Sequence, residues 1–332
     1  MEKVKIIEIK GSGHKEINPN KISKYKKIGN IFIIIFIILL IFYNLRLYIE
    51  NKVLMKEIKI LYKEKEAFNN TNKMIKDKGI SEQNKNEKEY KLYRLLCPKE
   101  VIGKNKIVVG GRHDGSYALL DDFSDIKIAY SFGIGSLIAF DKALADKGID
   151  VYMYDHTINR LPYENPKFHW KKIGISSESK KTFNKKSLKE LMKENGHLEE
   201  KNMIFKIDVE GSEWEVFQEL TPEIFNQFKY IVLELHMYKI NENYDLYLEC
   251  LAKLMKDHQI FHIHCCNCGK LLNLGGENPI CEVLEVSYIK REGNQFKKDE
   301  SSYPIKGFDY QICPQNPNLD KENNILKYCD SE

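Results

Sequence analysis

Apolar positions along this chain fall into three regimes. Residues 1–27 are polar and lysine-rich, and then Ile28 to Tyr43 reads IGNIFIIIFIILLIFY, with Asn30 as its one clearly polar position. Leu45, Leu47 and Tyr48 extend the run past Asn44 and Arg46. Crossing a bilayer core takes about 20 apolar residues, with a floor near 17, so 28–48 is expected to be a short transmembrane anchor. A helix buried in a protein core is the alternative, and unbroken isoleucine with no polar stripe argues against it. Tyr43, Asn44, Leu45 and Arg46 offer no small-residue cleavage site, which favours a retained anchor over a removed signal.

Residues 49–96 form the second regime. Leu54, Ile58 and Leu61 recur at helical spacing, and the remainder, Asn69 to Lys91 above all, is a polar, charged linker. The segment is expected to be a stem that holds a folded domain off the membrane.

From Lys106 onward short apolar runs alternate with helical patterns. KIVVGG and SYALL flank His113-Asp114-Gly115, the signature of a hairpin. The strands KIAYSF, DVYMYD, FHWKKIGI, NMIFKID, YIVLEL, QIFHIHC and EVLEVSYIKR follow, interleaved with the helices SLIAFDKALADKG, SLKELMKEN, EWEVFQEL and YDLYLECLAKLMKD. Such alternation predicts an α/β fold, a Rossmann-like, mostly parallel sheet with right-handed crossovers. No long helix separates Cys268 from Cys281, so the last strands should close the sheet as an antiparallel hairpin. The domain is expected over 97–291, with a polar tail over 292–332. No internal repeat is present.

Charge narrows the setting. Lys+Arg and Asp+Glu nearly balance, to a net +4, and are interspersed, which argues against a dedicated nucleic-acid binder. Lys21, Lys24, Lys26 and Lys27 crowd the N-terminal side of the apolar run, against the more dispersed Arg46, Lys52, Lys56, Lys59, Lys63 and Lys65. The denser cluster is expected on the cytoplasmic side, which makes a type II protein with its domain in the endoplasmic reticulum or Golgi lumen. All eight cysteines lie after residue 96. An even count on the luminal side fits disulfides; reduced, buried thiols are the alternative. The one glycosylation sequon, Asn69-Asn70-Thr71, is usable only in the lumen.

Three segments carry candidate chemistry. In Tyr130-Ser131-Phe132-Gly133-Ile134-Gly135, glycines at a strand end let the backbone turn and a ligand approach. Ile138 stands where a dinucleotide fingerprint needs a small residue, so no pyrophosphate cradle is indicated. Asp155 ends the next strand, where an acid can accept hydrogen bonds from ribose hydroxyls. In KIDVEGSEWEVF, Asp208 and Glu210 sit at the carboxyl end of a strand, the place where open α/β sheets build their sites. Ser212 and Glu215 have capping-box spacing, and Trp214 and Phe217 are expected in the core. Alternate residues of His262-Ile263-His264-Cys265-Cys266-Asn267-Cys268 share a strand face, yet a straight strand spreads them too far for one zinc ion. No metal site is expected.

YSFGIGSLIAFD, VYMYDHT and KIDVEGSEWEVF, in this order, resemble the FkbM-related methyltransferases, and in particular their secreted and type II membrane branch. VVGGRHDGSYALL resembles that group's opening hairpin, with Gly115-Ser116 in place of the usual Gly-Gly. IVLELH resembles its fifth strand, and FHIHCCNCG with NPICEVLEVSYIKR its closing strands. A departure is Ala129-Tyr130, where many methyltransferases place an acid. The resemblance implies S-adenosylmethionine as cofactor, contacted by Ser131, Gly133, Gly135, Asp155 and Asp208, and methyl transfer most often to oxygen. The acceptor is then a hydroxyl-bearing molecule such as a glycan. A general base is sought among Glu210, Glu234, His236 and His113. Two readings compete with the enzyme: a methyltransferase fold kept only for binding or scaffolding at the membrane, and a nicotinamide oxidoreductase, which the failed third glycine disfavours.

Overall fold

The expected strand–helix alternation forms, and the strands join in one seven-stranded sheet. The computed structural model describes residues 87–112, 114–180, 182, 184–274, 278–313, 315–316 and 329. The tail and anchor expected over 1–48, the stem as far as residue 86, and His113 lie outside the described residues. Among the described residues no helix is long and apolar enough to cross a membrane.

In chain order the sheet strands are β1 (Ile128–Phe132), β2 (Asp150–Tyr154), β3 (Phe168–Lys171), β4 (Met203–Ile207), β5 (Phe228–His236), β6 (His258–Cys265) and β7 (Val283–Lys290). The helices are α1 (Glu87–Leu95), α2 (Ala139–Asp146), α3 (Leu188–Glu194), α4 (Glu213–Glu219), α5 (Pro222–Phe225) and α6 (Tyr244–Asp257). Their spatial order is β6-β7-β5-β4-β1-β2-β3. Strands β3, β2, β1, β4 and β5 pair in parallel, while β7 runs antiparallel to both β5 and β6. The closing hairpin therefore inserts its second strand inside the sheet and leaves β6 at the edge. This is an α/β, mostly parallel mixed sheet of Rossmann-like form.

Both faces are covered, which is why β4 (MIFKI) is buried at every position. Tyr130, Phe132, Phe205, Ile231 and Leu233 point to one face, where α1, α3, α4 and α6 pack. Ala129, Val151, Met153, Ile204 and Val232 point to the other, under α2 and the hairpin of Lys106–Val109 with Tyr117–Leu120. The alternation is the strand's two-residue period read directly into two cores.

Three local expectations need correction. The stem read over 49–96 ends earlier, because α1 belongs to the folded unit: Leu92, Tyr93 and Leu96 are fully buried, and the Tyr93 hydroxyl donates to Asn278 and Pro279 carbonyls. Each such side chain contributes about 1.5–3 kcal/mol on burial, enough to outweigh a composition that is polar on average. The helix after the glycine loop begins at Ala139, four residues beyond Gly135, and not at the loop itself. Ser212 makes no capping bond to its helix. Instead Glu213 Oε1 accepts from the Val209 and Gly211 amides at 2.9 and 3.3 Å, and Glu215 pairs outward with Lys180.

The polar tail is tied down. Phe296–Lys298 pairs antiparallel with Lys99–Val101, and Asp299 accepts from Lys106 Nζ at 2.8 Å. Disulfides join Cys97–Cys329, Cys265–Cys281 and Cys268–Cys313, while Cys250 and Cys266 are free and buried. The histidines of the His262–Cys268 run are engaged separately, His262 with Asp309 and His264 with Glu285, at 2.9 and 2.8 Å.

Candidate active site

The chain order reverses at β1: β2 and β3 lie on one side of it, β4 and β5 on the other. A crevice must open at the carboxyl ends of strands where the order switches. A cavity of about 420 Å³ lies there, lined among others by Gly133, Gly135, Tyr154, Asp155, Asp208 and Glu210.

The glycine loop forms one wall. A Cβ on Gly133 would fall 1.5 Å from the Asp208 carbonyl oxygen, so the ends of β1 and β4 meet backbone to backbone. Gly135 has open space around it, and its φ of +55° is what favours glycine. Asp155 holds the loop's amides: Oδ2 accepts from Ile134 N at 3.0 Å and Gly135 N at 2.9 Å. Its Oδ1 accepts from Thr157 N and Oγ1 at 2.7 and 2.6 Å. Burial alone would raise this carboxyl's pKa, but these bonds outweigh it and hold it below the usual range. Lys206 holds the loop's carbonyls, donating from Nζ to Phe132 O and Gly133 O at 3.1 and 2.6 Å. Ser131 is buried inside β1 and does not line the cavity.

The other wall is built from the ends of β4 and β5. Asp208 Oδ2 lies 3.5 Å from Lys206 Nζ. Glu210 reaches into the cavity with its side chain 80% exposed, although its backbone φ is +56°. A left-handed conformation costs an ordinary residue about 1–2 kcal/mol, strain of the kind that gathers at functional sites. His236 is buried, and its Nδ1 meets Glu213 Oε1 at 2.9 Å. Its Nε2 lies 3.4 Å from Glu210 Oε2 and 3.8 Å from Glu234 Oε1. Burial would lower the His236 pKa, but the Glu213 hydrogen bond and charge, with Asp208 and Glu210, raise it. The Tyr238 hydroxyl donates to Glu210 Oε2 at 3.3 Å.

Glu234 sits beneath this group and does not line the cavity. Its direct partner across the β5–β7 ladder is Glu285, itself buried. Burial, then Asp208 and Glu285, push the Glu234 pKa well above the carboxylate range. Burial and then the same acids, Asp208 foremost, raise the Tyr117 phenol as well.

The structure therefore gathers Gly133, Gly135, Asp155, Asp208 and Glu210 around one cavity, with His236 and Glu234 behind it. Lys206, Glu213 and Glu285 were not singled out from the sequence as part of it. Two of them carried a signal, a charge inside an apolar strand run: Lys206 in MIFKI and Glu285 in VLEVSYI. Glu213, fully buried at the first turn of α4, carried none.

Residues 62–270 match the family of the Methyltransferase FkbM domain. The chain belongs to that family. The matched segment takes in the glycine loop, Asp155, Asp208, Glu210, Glu213 and His236, and it ends before β7 and Glu285. Among solved structures, a protein described as "a putative hemolysin from Lactococcus lactis" is similar at 12% identity, over 61% of this chain and 88% of that one, with a TM-score of 0.28. No curated protein sequence matches the chain.

Proposed function

We propose that this methyltransferase-family protein uses S-adenosylmethionine to methylate a hydroxyl, with the domain in the secretory lumen and residues 28–48 as its anchor. The observation that carries the reading is the cavity itself. One wall is a clamped glycine loop and the other presents Asp208 and Glu210. Its volume, about 420 Å³, lies within the range of small-molecule sites, roughly 300–1,000 Å³. Ile134, Leu137 and Ile175 provide apolar surface for a base, and the two acids suit a cationic ligand, so the residues fit the cofactor.

The loop from Gly133 to Gly135, kept in shape by Asp155, and Asp208 would hold it, and when bound it supplies an electrophilic methyl group. The chain's own work is to orient the acceptor and take its proton. Of the four candidate bases, His113 lies outside the described residues, and of the other three Glu210 is suited to this. It lines the cavity, whereas Glu234 does not, its pKa pushed up by burial and by Asp208 and Glu285, and His236 is kept in place by Glu213. The hydroxyl proton passes to Glu210 Oε2, which the Tyr238 hydroxyl positions.

The lumen is favoured by the three disulfides and by the lysine cluster before the anchor. Asp114, Ser136 and Glu210, exposed where they line the cavity, suit a hydrophilic acceptor such as a glycan. One observation favours a second reading, a fold kept for binding at the membrane: the Asp155 carboxylate already receives four hydrogen bonds, leaving little for a ribose. Calorimetric titration of the full chain with S-adenosylmethionine and S-adenosylhomocysteine decides between them. Saturable binding of both, lost in Asp155→Ala, supports the enzyme; no heat from folded protein supports the binding fold. A glycosidase-sensitive mass shift at Asn69 tests the luminal placement.

A further inference from the structure

Asp208, Glu234 and His236 were considered as separate candidates in the sequence, which predicts no metal site, yet the fold brings one ligand atom of each within 4.8 Å of the others. We propose that these three side chains form a site for a divalent first-row metal ion, with Mn²⁺ or Zn²⁺ chemistry, in the β4–β5 wall of the cavity.

The distances suit an ion. Oxygen and nitrogen ligands at about 2.0–2.2 Å stand at most about 4.4 Å apart, and His236 Nε2 is already 3.8 Å from Glu234 Oε1. Adjustment of a few tenths of an ångström at Asp208 completes the set. The histidine is presented as metal-ligating histidines are, with its other ring nitrogen on a carboxylate: Nδ1 is 2.9 Å from Glu213, and Glu213 is fully buried. That bond turns Nε2 toward Glu210 and Glu234.

A second observation comes from outside the three. Glu285 faces Glu234 across the β5–β7 ladder and is 7% exposed; its Oε2 meets His264 Nδ1 at 2.8 Å, but its Oε1 has no hydrogen-bond partner. The hydroxyl of Tyr117, 2% exposed, has none either. Lys206 brings one positive charge to Asp208, but its Nζ is shared with the carbonyls of Phe132 and Gly133. Lys206 and His264 each meet only one of the three acids Asp208, Glu234 and Glu285; burying carboxylates this close without a further cation is costly, and a divalent ion supplies the missing charge.

One imidazole nitrogen and two carboxylate oxygens, with no thiolate, select borderline first-row ions over Ca²⁺. Three protein ligands leave coordination positions open, and Asp208 lines the cavity, so those positions face it. The catalytic part of the inference rests on the methyl-transfer reading: an acceptor hydroxyl taking an open position is acidified, and its proton still leaves to Glu210. The binding part does not depend on that reading.

The test uses the full chain in detergent, stripped with a chelator and exchanged into metal-free buffer. Mn²⁺ binding is read from loss of the free-ion electron-paramagnetic-resonance signal, and Zn²⁺, Mg²⁺ and Ca²⁺ by calorimetry. The expected result is one saturable Mn²⁺ or Zn²⁺ site per chain. It should weaken at least about 100-fold in His236→Gln and Glu234→Gln, about 10-fold in Glu213→Gln, and not at all in His169→Gln. Nitrogen coupling from one imidazole in the pulsed spectrum of bound Mn²⁺ checks the same site in the unaltered protein, should a variant fail to fold. Absence of a saturable site in folded protein, a site indifferent to His236→Gln, or bound Mn²⁺ without nitrogen coupling overturns the proposal. Metal binding without S-adenosylmethionine binding would remove the methyl-transfer reading and leave the site; the reverse result would remove the site alone.

Discussion

On the β1–β2 wall of the cavity, Asp155 is 5% exposed and receives four hydrogen bonds. On the β4–β5 wall, Glu234, its side chain 12% exposed, meets Asp208 and Glu285, with His236 Nε2 3.8 Å away and outside hydrogen-bond reach. The same chemical group is thereby driven in opposite directions, the first pKa down and the second up. A buried carboxylate surrounded by backbone amides is part of the scaffold: it shapes the loop and has little capacity left. A buried carboxylate surrounded by others is poised, because a proton, a cation or a polar ligand lowers its energy. The β1–β2 wall builds the cavity, and the β4–β5 wall holds the capacity for chemistry.

The largest effect that would sharpen this contrast is Asp155→Ala. It leaves the Ile134 and Gly135 amides without their acceptor, and hydrogen bonds to a charged group contribute about 1.5–3 kcal/mol each. A loss of about 3 kcal/mol or more in denaturant unfolding is expected, together with loss of cofactor binding. A loss under about 1 kcal/mol would mean that the loop keeps its shape without the clamp.

Next is Glu234→Gln in metal-free protein. Relieving the crowding of like charges should raise stability by about 1–2 kcal/mol, the opposite sign to the first variant. A comparable loss would mean that Glu234 is as well satisfied as Asp155, and the contrast would fail.

Glu210→Gly separates strain from chemistry on the β4–β5 wall. Removing a side chain from a φ of +56° should stabilise the fold by up to about 1 kcal/mol, while methyl transfer falls through loss of the proton acceptor. Unchanged turnover would assign the proton to another group.

The smallest effect is in acid. The folded Asp155 pKa is depressed, so its contribution is complete above the unfolded value, about 3.9, and declines as pH falls through the lower folded one. The stability gap between the unaltered chain and Asp155→Asn should therefore narrow below about pH 4. A gap that stays constant from pH 6 to the acid limit would show that the carboxylate's charge is not what holds the loop.

Much of this was legible in the chain. The strand and helix runs set the α/β order, because side-chain periodicity is a local property. The glycines of YSFGIG and the acids of VYMYD and KIDVEG marked the cavity, since an α/β sheet can place a site only at its strand ends. α1 was hidden by its polar composition, as only packing tells which few apolar residues of EKEYKLYRL are buried. Ser212 and Glu215 have capping-box spacing, yet Glu213 bonds the loop amides and His236 instead.

The sequence by itself determined the elements, their order, and which strand ends carry acids and glycines, because those follow from neighbours in the chain. The tertiary structure alone decided that β7 inserts beside β5, setting Glu285 against Glu234. It alone decided that Lys206 and Asp155 grip the two sides of one loop, and that Glu213 stands behind His236. These are contacts between residues 20 or more positions apart, and their energies depend on burial and on the charges across the gap, neither of which a local pattern contains.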